Sequence, residues 1–150
     1  MDKILNHLKN KKAGYYFVMA ISLLSLIQLI IYLVAFLDSQ WESYFDISIV
    51  IFSSLAFLSG LISLVIDGIF NIKEATHFGG GLCLLFNFLS FLMFNRYGYM
   101  YYSQVFFGGI EFRLIISMYY GYLYSLIIYI IVSGLGIASC FMKHDALEGE

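Results

Sequence analysis

Three polar side chains lie inside long apolar stretches of the sequence and are the ones best placed to do chemistry. Asp67 is the only acidic residue well inside such a stretch, and Gln28 and Asn87 are amides with apolar residues on both sides. Ionisable residues in such surroundings are functional candidates by default, because a charge is costly in an apolar medium. Asp67, Asn87 and Gln28 therefore form a candidate polar site. Asp67 would hold a proton or a cation there, and the amides would contact a substrate in a water-filled cavity.

Each of these residues also has a purely structural interpretation. Asp67 lies three residues from the end of its apolar stretch, close in sequence to Lys73 and His77, and could be an interfacial carboxylate paired with a basic group or with water. An amide in hydrocarbon is costly unless it is hydrogen-bonded. Gln28 and Asn87 are therefore expected to find partners between helices, and each is a candidate partner for the other.

A further pair of charges, Arg96 and Glu111, flanks a segment rich in aromatic residues. Opposite charges at the two ends of a connection can form an ion pair that holds those ends together. We interpret this pair as a candidate structural clamp on the outer side of a membrane, rather than as a catalytic carboxylate with its partner.

The sequence contains no recognisable catalytic or metal-binding motif. Its three histidines form no His-Glu-x-x-His pattern, no Gly-x-Ser-x-Gly is present, and Cys83 and Cys140 form no Cys-x-x-Cys pair. The glycines at 79–81 lack the lysine and the spacing of a phosphate-binding loop. We therefore predict no catalytic residue, no metal site and no cofactor, and we expect that the protein is not an enzyme.

The composition indicates which elements must position these residues. Of the 150 residues, 61% are hydrophobic, 19% are aromatic and only 12% are charged. A soluble domain has about 25% charged residues, and a chain of this size leaves roughly 30% of its surface exposed to water. These values exclude an ordinary soluble domain and a disordered chain. The net charge of −2 and the lack of a basic stripe argue against a nucleic-acid partner.

Four apolar stretches predict an all-α, polytopic membrane protein. A helix needs about 20 mostly apolar residues to cross a bilayer. The predicted spans are residues 14–37, 47–70, 78–94 and about 114–138, which form a single four-helix transmembrane domain over residues 1–150. The third is short, and the tyrosine-rich segment 95–113 that follows it has two possible structures. It could prolong the third helix, or it could lie flat in the headgroup layer.

The distribution of positive charges predicts the orientation. Lysine and arginine are enriched in cytoplasmic segments of membrane proteins. An even number of spans places both termini on the same side, which the charges predict to be the cytoplasm. The predicted inner side contains Lys3, Lys9, Lys11, Lys12, Lys73 and Lys143, and the outer side contains only Arg96 and Arg113.

Small and polar residues recur along one face of each predicted helix. Lipid tails are as apolar as leucine, so small and polar side chains are what bring membrane helices together, and the four faces should meet in one bundle. The first three faces have steps of three and four, whereas the fourth has a constant step of four, which predicts a steeper or right-handed crossing there. The faces comprise Ser22, Ser25, Gln28, Tyr32 and Ala35; Ser53, Ala56, Gly60, Ser63 and Asp67; Gly80, Cys83, Asn87 and Ser90; and Ser117, Gly121, Ser125, Tyr129 and Ser133.

Three classes of function remain open for an integral, multi-pass membrane protein of this kind. The first is a non-catalytic interaction, accessory or scaffold subunit, whose partners are the lipid bilayer and another membrane protein or a second copy of the chain. The second is a small transporter or channel with a polar path through the bundle and Asp67 at its inner mouth. The third, an intramembrane enzyme, is disfavoured by the lack of motifs. A four-span architecture by itself implies no activity.

Overall fold

Four long helices make up the part of the chain that a computed structural model describes, which is residues 13–36, 45–70, 72–107 and 112–141. In chain order they are α1 (Ala13–Phe36), α2 (Ile47–Phe70), α3 (Lys73–Phe106) and α4 (Phe112–Phe141). No strand occurs within those ranges. All four helices are long and apolar enough to cross a membrane. The predicted all-α polytopic fold is therefore confirmed.

The third helix is longer than its predicted span. It extends from Lys73 to Phe106, so most of the tyrosine-rich segment continues the helix and does not lie flat. At 1.5 Å per residue, its 34 residues reach about 51 Å, well beyond the roughly 30 Å hydrocarbon core. Gly98 lies against the ring of Tyr122, so this extension packs on α4. Such packing makes a helix more favourable than an interfacial segment.

The helices form a single bundle in which each packs against its neighbours in the chain and α4 packs back on α1, while α1 and α3 also touch across the diagonal. Three contacts between α1 and α3 join residues 62 positions apart: Val18 with Gly80, Ser25 with Asn87, and Tyr32 with Phe94. The constant offset means that α1 and α3 run parallel. Contacts of Ser53 with Ser90 and of Asp67 with Thr76 show that α2 runs antiparallel to α3.

The small and polar faces point into the bundle as expected on α2 and α3, where every member is buried. On α1 only Ala35 is partly exposed. Large aliphatic residues such as Leu23, Ile30, Ile51 and Leu92 lie on the outer surface of the bundle. The interior is therefore richer in small and polar residues than the exterior, as expected for helices that pack in lipid.

The constant step of four predicted for α4 does not describe its buried face. Gly121 and Ser133 are only half-buried, and the side chain of Ser117 lies outside the described residues. The buried positions of α4 instead have steps of three and four: Tyr122, Ser125, Tyr129, Val132, Gly136 and Ser139. With this heptad pattern, the buried face of each helix stays directed at its neighbours over the whole length.

The two ends of the bundle differ in chemistry. At the end where α1 stops and α2 begins, Tyr32, Phe36, Phe94 and Tyr122 form a cluster of packed rings, which we call the aromatic end. The first turn of α2 is capped there, because Asp46 Oδ1 accepts a hydrogen bond from the backbone N–H of Ser48 at 2.8 Å. The opposite end contains Asp67 and is called the carboxylate end.

Candidate functional site

A cluster of polar side chains fills the middle of the bundle, and Asn87 of α3 is one of its two centres. Asn87 Nδ2 donates to Ser25 Oγ on α1 at 2.8 Å and to the carbonyl of Cys83 at 2.9 Å. Ser25 Oγ in turn donates to the carbonyl of Ile21 at 2.8 Å. Asn87 therefore connects the two parallel helices, which is the structural role expected for a buried amide.

The second centre of the cluster is a chain of three hydroxyl groups, one turn nearer the aromatic end. Ser90 Oγ lies 2.8 Å from Ser53 Oγ and 2.6 Å from the hydroxyl of Tyr129, so this chain connects α2, α3 and α4. All three side chains are buried. We call Ser25, Gln28, Ser53, Asn87, Ser90, Ser125 and Tyr129 together the central polar cluster.

Gln28 belongs to the central polar cluster, but it does not pair with Asn87. Its amide lies near the hydroxyl of Tyr129 without a hydrogen bond of standard geometry, and neither amide atom has a hydrogen-bond partner. Asn87 Oδ1 and Ser125 Oγ are also buried without a partner. Asn87, the candidate partner named for Gln28, therefore does not pair with it. With the constant offset of 62 residues between α1 and α3, Gln28 is level with Ser90, whereas Ser25 is level with Asn87 and accepts its hydrogen bond.

A layer of apolar side chains separates the central polar cluster from the carboxylate end. Its members Ile21, Ala56, Cys83 and Val132 come from all four helices and are completely buried. Close backbone contacts seal the layer, since a Cβ on Gly60 would lie 2.8 Å from the Cβ of Ser22. The two polar regions thus lie in one bundle with closely packed, mostly apolar side chains between them.

Asp67 lies at the carboxylate end and is 1% exposed. Its Oδ2 accepts a hydrogen bond from Thr76 Oγ1 at 2.9 Å, which ties the end of α2 to the start of α3. His77 is exposed, and the side chain of Lys73 lies outside the described residues. Asp67 is thus buried between helices, close to the end of α2. Thr76 was not anticipated as its partner, because the pairing depends on how closely the two helices approach across their short connection.

Of the two residues of the proposed outer clamp, the structure describes one. Arg96 lies on α3 with an exposed side chain, whereas Glu111 falls outside the described residues. The nearest polar group on α3 with a defined partner is Asn95, whose Nδ2 donates to the carbonyl of Phe91 at 3.0 Å. The Arg96–Glu111 pair therefore stays a prediction.

The chemistry open to these groups is narrow. Most hydroxyls in the interior are hydrogen-bonded within the bundle: Ser63 Oγ donates to the carbonyl of Gly60 and Ser139 Oγ to that of Gly136. Ser90 Oγ shares hydrogen bonds with the hydroxyls of Ser53 and Tyr129. Within the described ranges, no three His, Cys, Asp or Glu side chains lie close enough together to hold a metal ion. The arrangement joins helices, and Asp67 is its one buried carboxylate within those ranges.

Comparison with known protein families, with curated proteins and with solved structures finds no match to this chain.

The two amides of the central polar cluster should respond in opposite directions to substitution by leucine. Asn87→Leu removes the hydrogen bond to Ser25 on α1 and should lower the free energy of unfolding by about 1 kcal/mol. Gln28→Leu removes two buried polar atoms that have no partner and should raise it by about 1 kcal/mol. Unfolding by SDS in mixed micelles measures both values. A loss of stability in Gln28→Leu equal to that in Asn87→Leu would contradict this geometry.

Proposed function

We propose that this chain is a non-catalytic interaction subunit of a membrane, which acts by binding another membrane protein or a second copy of itself. The observation that carries the proposal is the closed interior. The polar and small residues that could have lined a path are instead packed directly against one another, as in the contacts of Gly60 with Ser22 and of Ser53 with Ser90.

The apolar layer provides further support. A conduit through the bundle would have to pass Ile21 and Val132, neither of which is exposed at all. Ions and polar solutes do not cross an apolar constriction that holds no water. Most hydroxyls around this layer form internal hydrogen bonds, and the polar atoms without a partner, in Gln28, Asn87 and Ser125, are buried inside the bundle. Few of these groups are therefore accessible to a substrate. The outer surface is therefore the part of the molecule that remains available to bind a partner protein.

A small transporter or channel is the second candidate function, and Asp67 is the observation that favours it. A buried carboxylate in a membrane helix commonly marks an ion or proton pathway. In this case the path would require the apolar layer to open, so that water connects Asp67 with the central polar cluster.

Ion and proton flux in reconstituted vesicles separates the two functions. We expect vesicles containing the protein to be as tight as protein-free vesicles to sodium, potassium and protons. Asp67→Asn keeps the size of the side chain and removes its charge, so it should behave identically. Flux that appears with the wild type and is lost with Asp67→Asn would favour the transporter and contradict the interaction subunit.

Purification from the native membrane in a mild detergent tests the interaction itself. We expect one membrane protein, or a second copy of the chain, to remain bound in a fixed stoichiometry measured by native mass spectrometry. An unrelated four-helix membrane protein with the same tag serves as the control. A chain that is always monomeric, in detergent and after cross-linking in the membrane, would contradict the proposal.

A further inference from the structure

A narrow groove runs along the outer surface between α2 and α3, towards the carboxylate end. It has a volume of about 440 Å³ and is half-open on the side that faces away from the bundle. Small residues such as Ser59, Ser63 and Gly79 form its floor, and large apolar side chains form its rims. The main rim residues are Leu55, Leu58, Ile62, Phe78, Leu82 and Phe86.

The sequence explains why a groove forms at this place. Gly79 lies directly against the Cβ of Ser63, so the two helices approach each other closely at the floor. The larger side chains beside this contact, Ile62 and Phe78, cannot enter it and stand outward on both sides. A close contact between small residues that is flanked by large ones leaves a channel between the rims.

The residues that line the groove favour an apolar ligand. The two hydroxyls in it are already bonded, because Ser59 Oγ donates to the carbonyl of Ala56 at 2.9 Å and Ser63 Oγ donates to that of Gly60 at 2.7 Å. The remaining lining residues are apolar. No group in the groove requires a polar partner, so hydrocarbon is the chemistry that it accepts.

The groove is long and narrow. From Leu55 to Ile66 its lining residues cover eleven steps along α2, or about 17 Å at 1.5 Å per residue. Dividing the volume of about 440 Å³ by this length gives a mean cross-section of roughly 26 Å². A narrow section of this kind along about 17 Å suits one extended hydrocarbon chain.

The length and position of the groove match one leaflet of a bilayer. Half of a hydrocarbon core of about 30 Å is about 15 Å, close to the length of the groove. Its lining residues Ile66 and Ala75 lie near the α2–α3 connection, where the membrane surface is expected, and Leu55 lies near mid-membrane. The half-open side faces the bilayer, where the acyl chains of phospholipids are the hydrocarbon available to enter the groove.

We propose that the groove between α2 and α3 binds one acyl chain of a phospholipid from the leaflet at the carboxylate end. This inference goes beyond the interaction function and does not depend on it. The bound chain would complete the outer surface of the α2–α3 hairpin, in the position that a side chain fills elsewhere in the bundle. The lipid would thus be a resident component of the molecule and not merely one of the surrounding lipids.

Photolabelling with a phospholipid that carries a diazirine near the end of one acyl chain tests this directly. The protein is reconstituted in phosphatidylcholine and phosphatidylglycerol vesicles with increasing fractions of the probe, and labelled peptides are mapped. We expect labelling of residues 55–66 and 78–86 to saturate. Labelling of the exposed α4 residues Ile127 and Ile130 should rise in proportion to the probe, because they contact only exchanging lipid.

A variant that fills the groove provides the second part of this test. Ser59→Phe places a ring on the floor and should abolish the saturable labelling, whereas Leu61→Phe places the same ring on the lipid-facing surface outside the groove and should preserve it. Unchanged labelling of α4 shows that both variants are folded. Should Ser59→Phe fail to fold, the wild-type saturation curve decides alone. Proportional labelling of the groove, or competition by a free fatty acid but not by phospholipid, would overturn the proposal.

Discussion

Gly79→Leu is expected to lower the free energy of unfolding by about 3 kcal/mol, since overpacking a tight contact costs about 1–3 kcal/mol and occasionally more. A Cβ at this position would overlap the Cβ of Ser63 and would lie 3.2 Å from the carbonyl oxygen of Ser59. Neither atom belongs to the flexible end of a side chain, so only a separation of α2 from α3 can make room. Gly79→Ala should also lower the free energy of unfolding, but by a smaller amount.

Gly81→Leu is the matched control for this prediction. Gly81 lies two residues further along the same helix, and a Cβ on it would meet nothing within 4 Å. Both leucine variants have the same change in composition and helix propensity, so the difference between them measures the helix–helix contact alone. Unfolding in mixed detergent and SDS micelles gives both values. Equal stabilities of Gly79→Leu and Gly81→Leu would show that α2 and α3 do not meet at this glycine.

Phe94→Ala should lower the free energy of unfolding by about 3–5 kcal/mol, the usual effect of truncating a buried phenylalanine to alanine. Phe94 is the centre of the aromatic end. Its ring stacks on Tyr122 at a centroid distance of 4.8 Å and also contacts Tyr32, Phe36 and Tyr129. Removal of this ring leaves a cavity between three helices, which rigid helices cannot close.

Phe88→Ala removes the same atoms from the outer face of the same helix. Phe88 is 48% exposed, whereas Phe94 is 2% exposed. Lipid can fill the space that Phe88 leaves, so this variant should change the free energy of unfolding by less than about 1 kcal/mol. A cost for Phe88→Ala that equals that of Phe94→Ala would mean that the aromatic end is not the packed core of this half of the bundle.

The inward face of α2 could be predicted from the sequence, whereas that of α4 could not. On α2, Ser53, Gly60 and Asp67 recur in steps of seven and so share one face, which is directed away from lipid. α4 has small residues on several sides, and Gly134 faces open space whereas Gly136 lies against Leu84. Its buried face is set by the ring of Tyr122 on Phe94, which depends on a helix elsewhere in the sequence.

The pairing of the polar residues depends on the register between helices. The sequence indicated that Gln28 and Asn87 lie at similar depth, and both belong to the central polar cluster. Asn87 nevertheless pairs with Ser25, and Gln28 has no hydrogen-bond partner, because a shift of one helical turn, about 5.4 Å, decides whether Asn87 faces Ser25 or Gln28. Thr76 could not be assigned to Asp67 for the same reason, since spacing along one helix carries no information about the approach of two.

Reactivity of the two native cysteines is the most direct test of a closed interior. Cys83 lies in the apolar layer between the central polar cluster and Asp67, and Cys140 is exposed near the end of α4. In reconstituted vesicles a small membrane-permeant maleimide should modify Cys140. Cys83, isolated in a Cys140→Ser variant, should react with neither the maleimide nor a charged methanethiosulfonate reagent until SDS unfolds the protein. Rapid reaction of Cys83 with the charged reagent in the folded protein would reveal a water-filled path through the bundle and contradict the account.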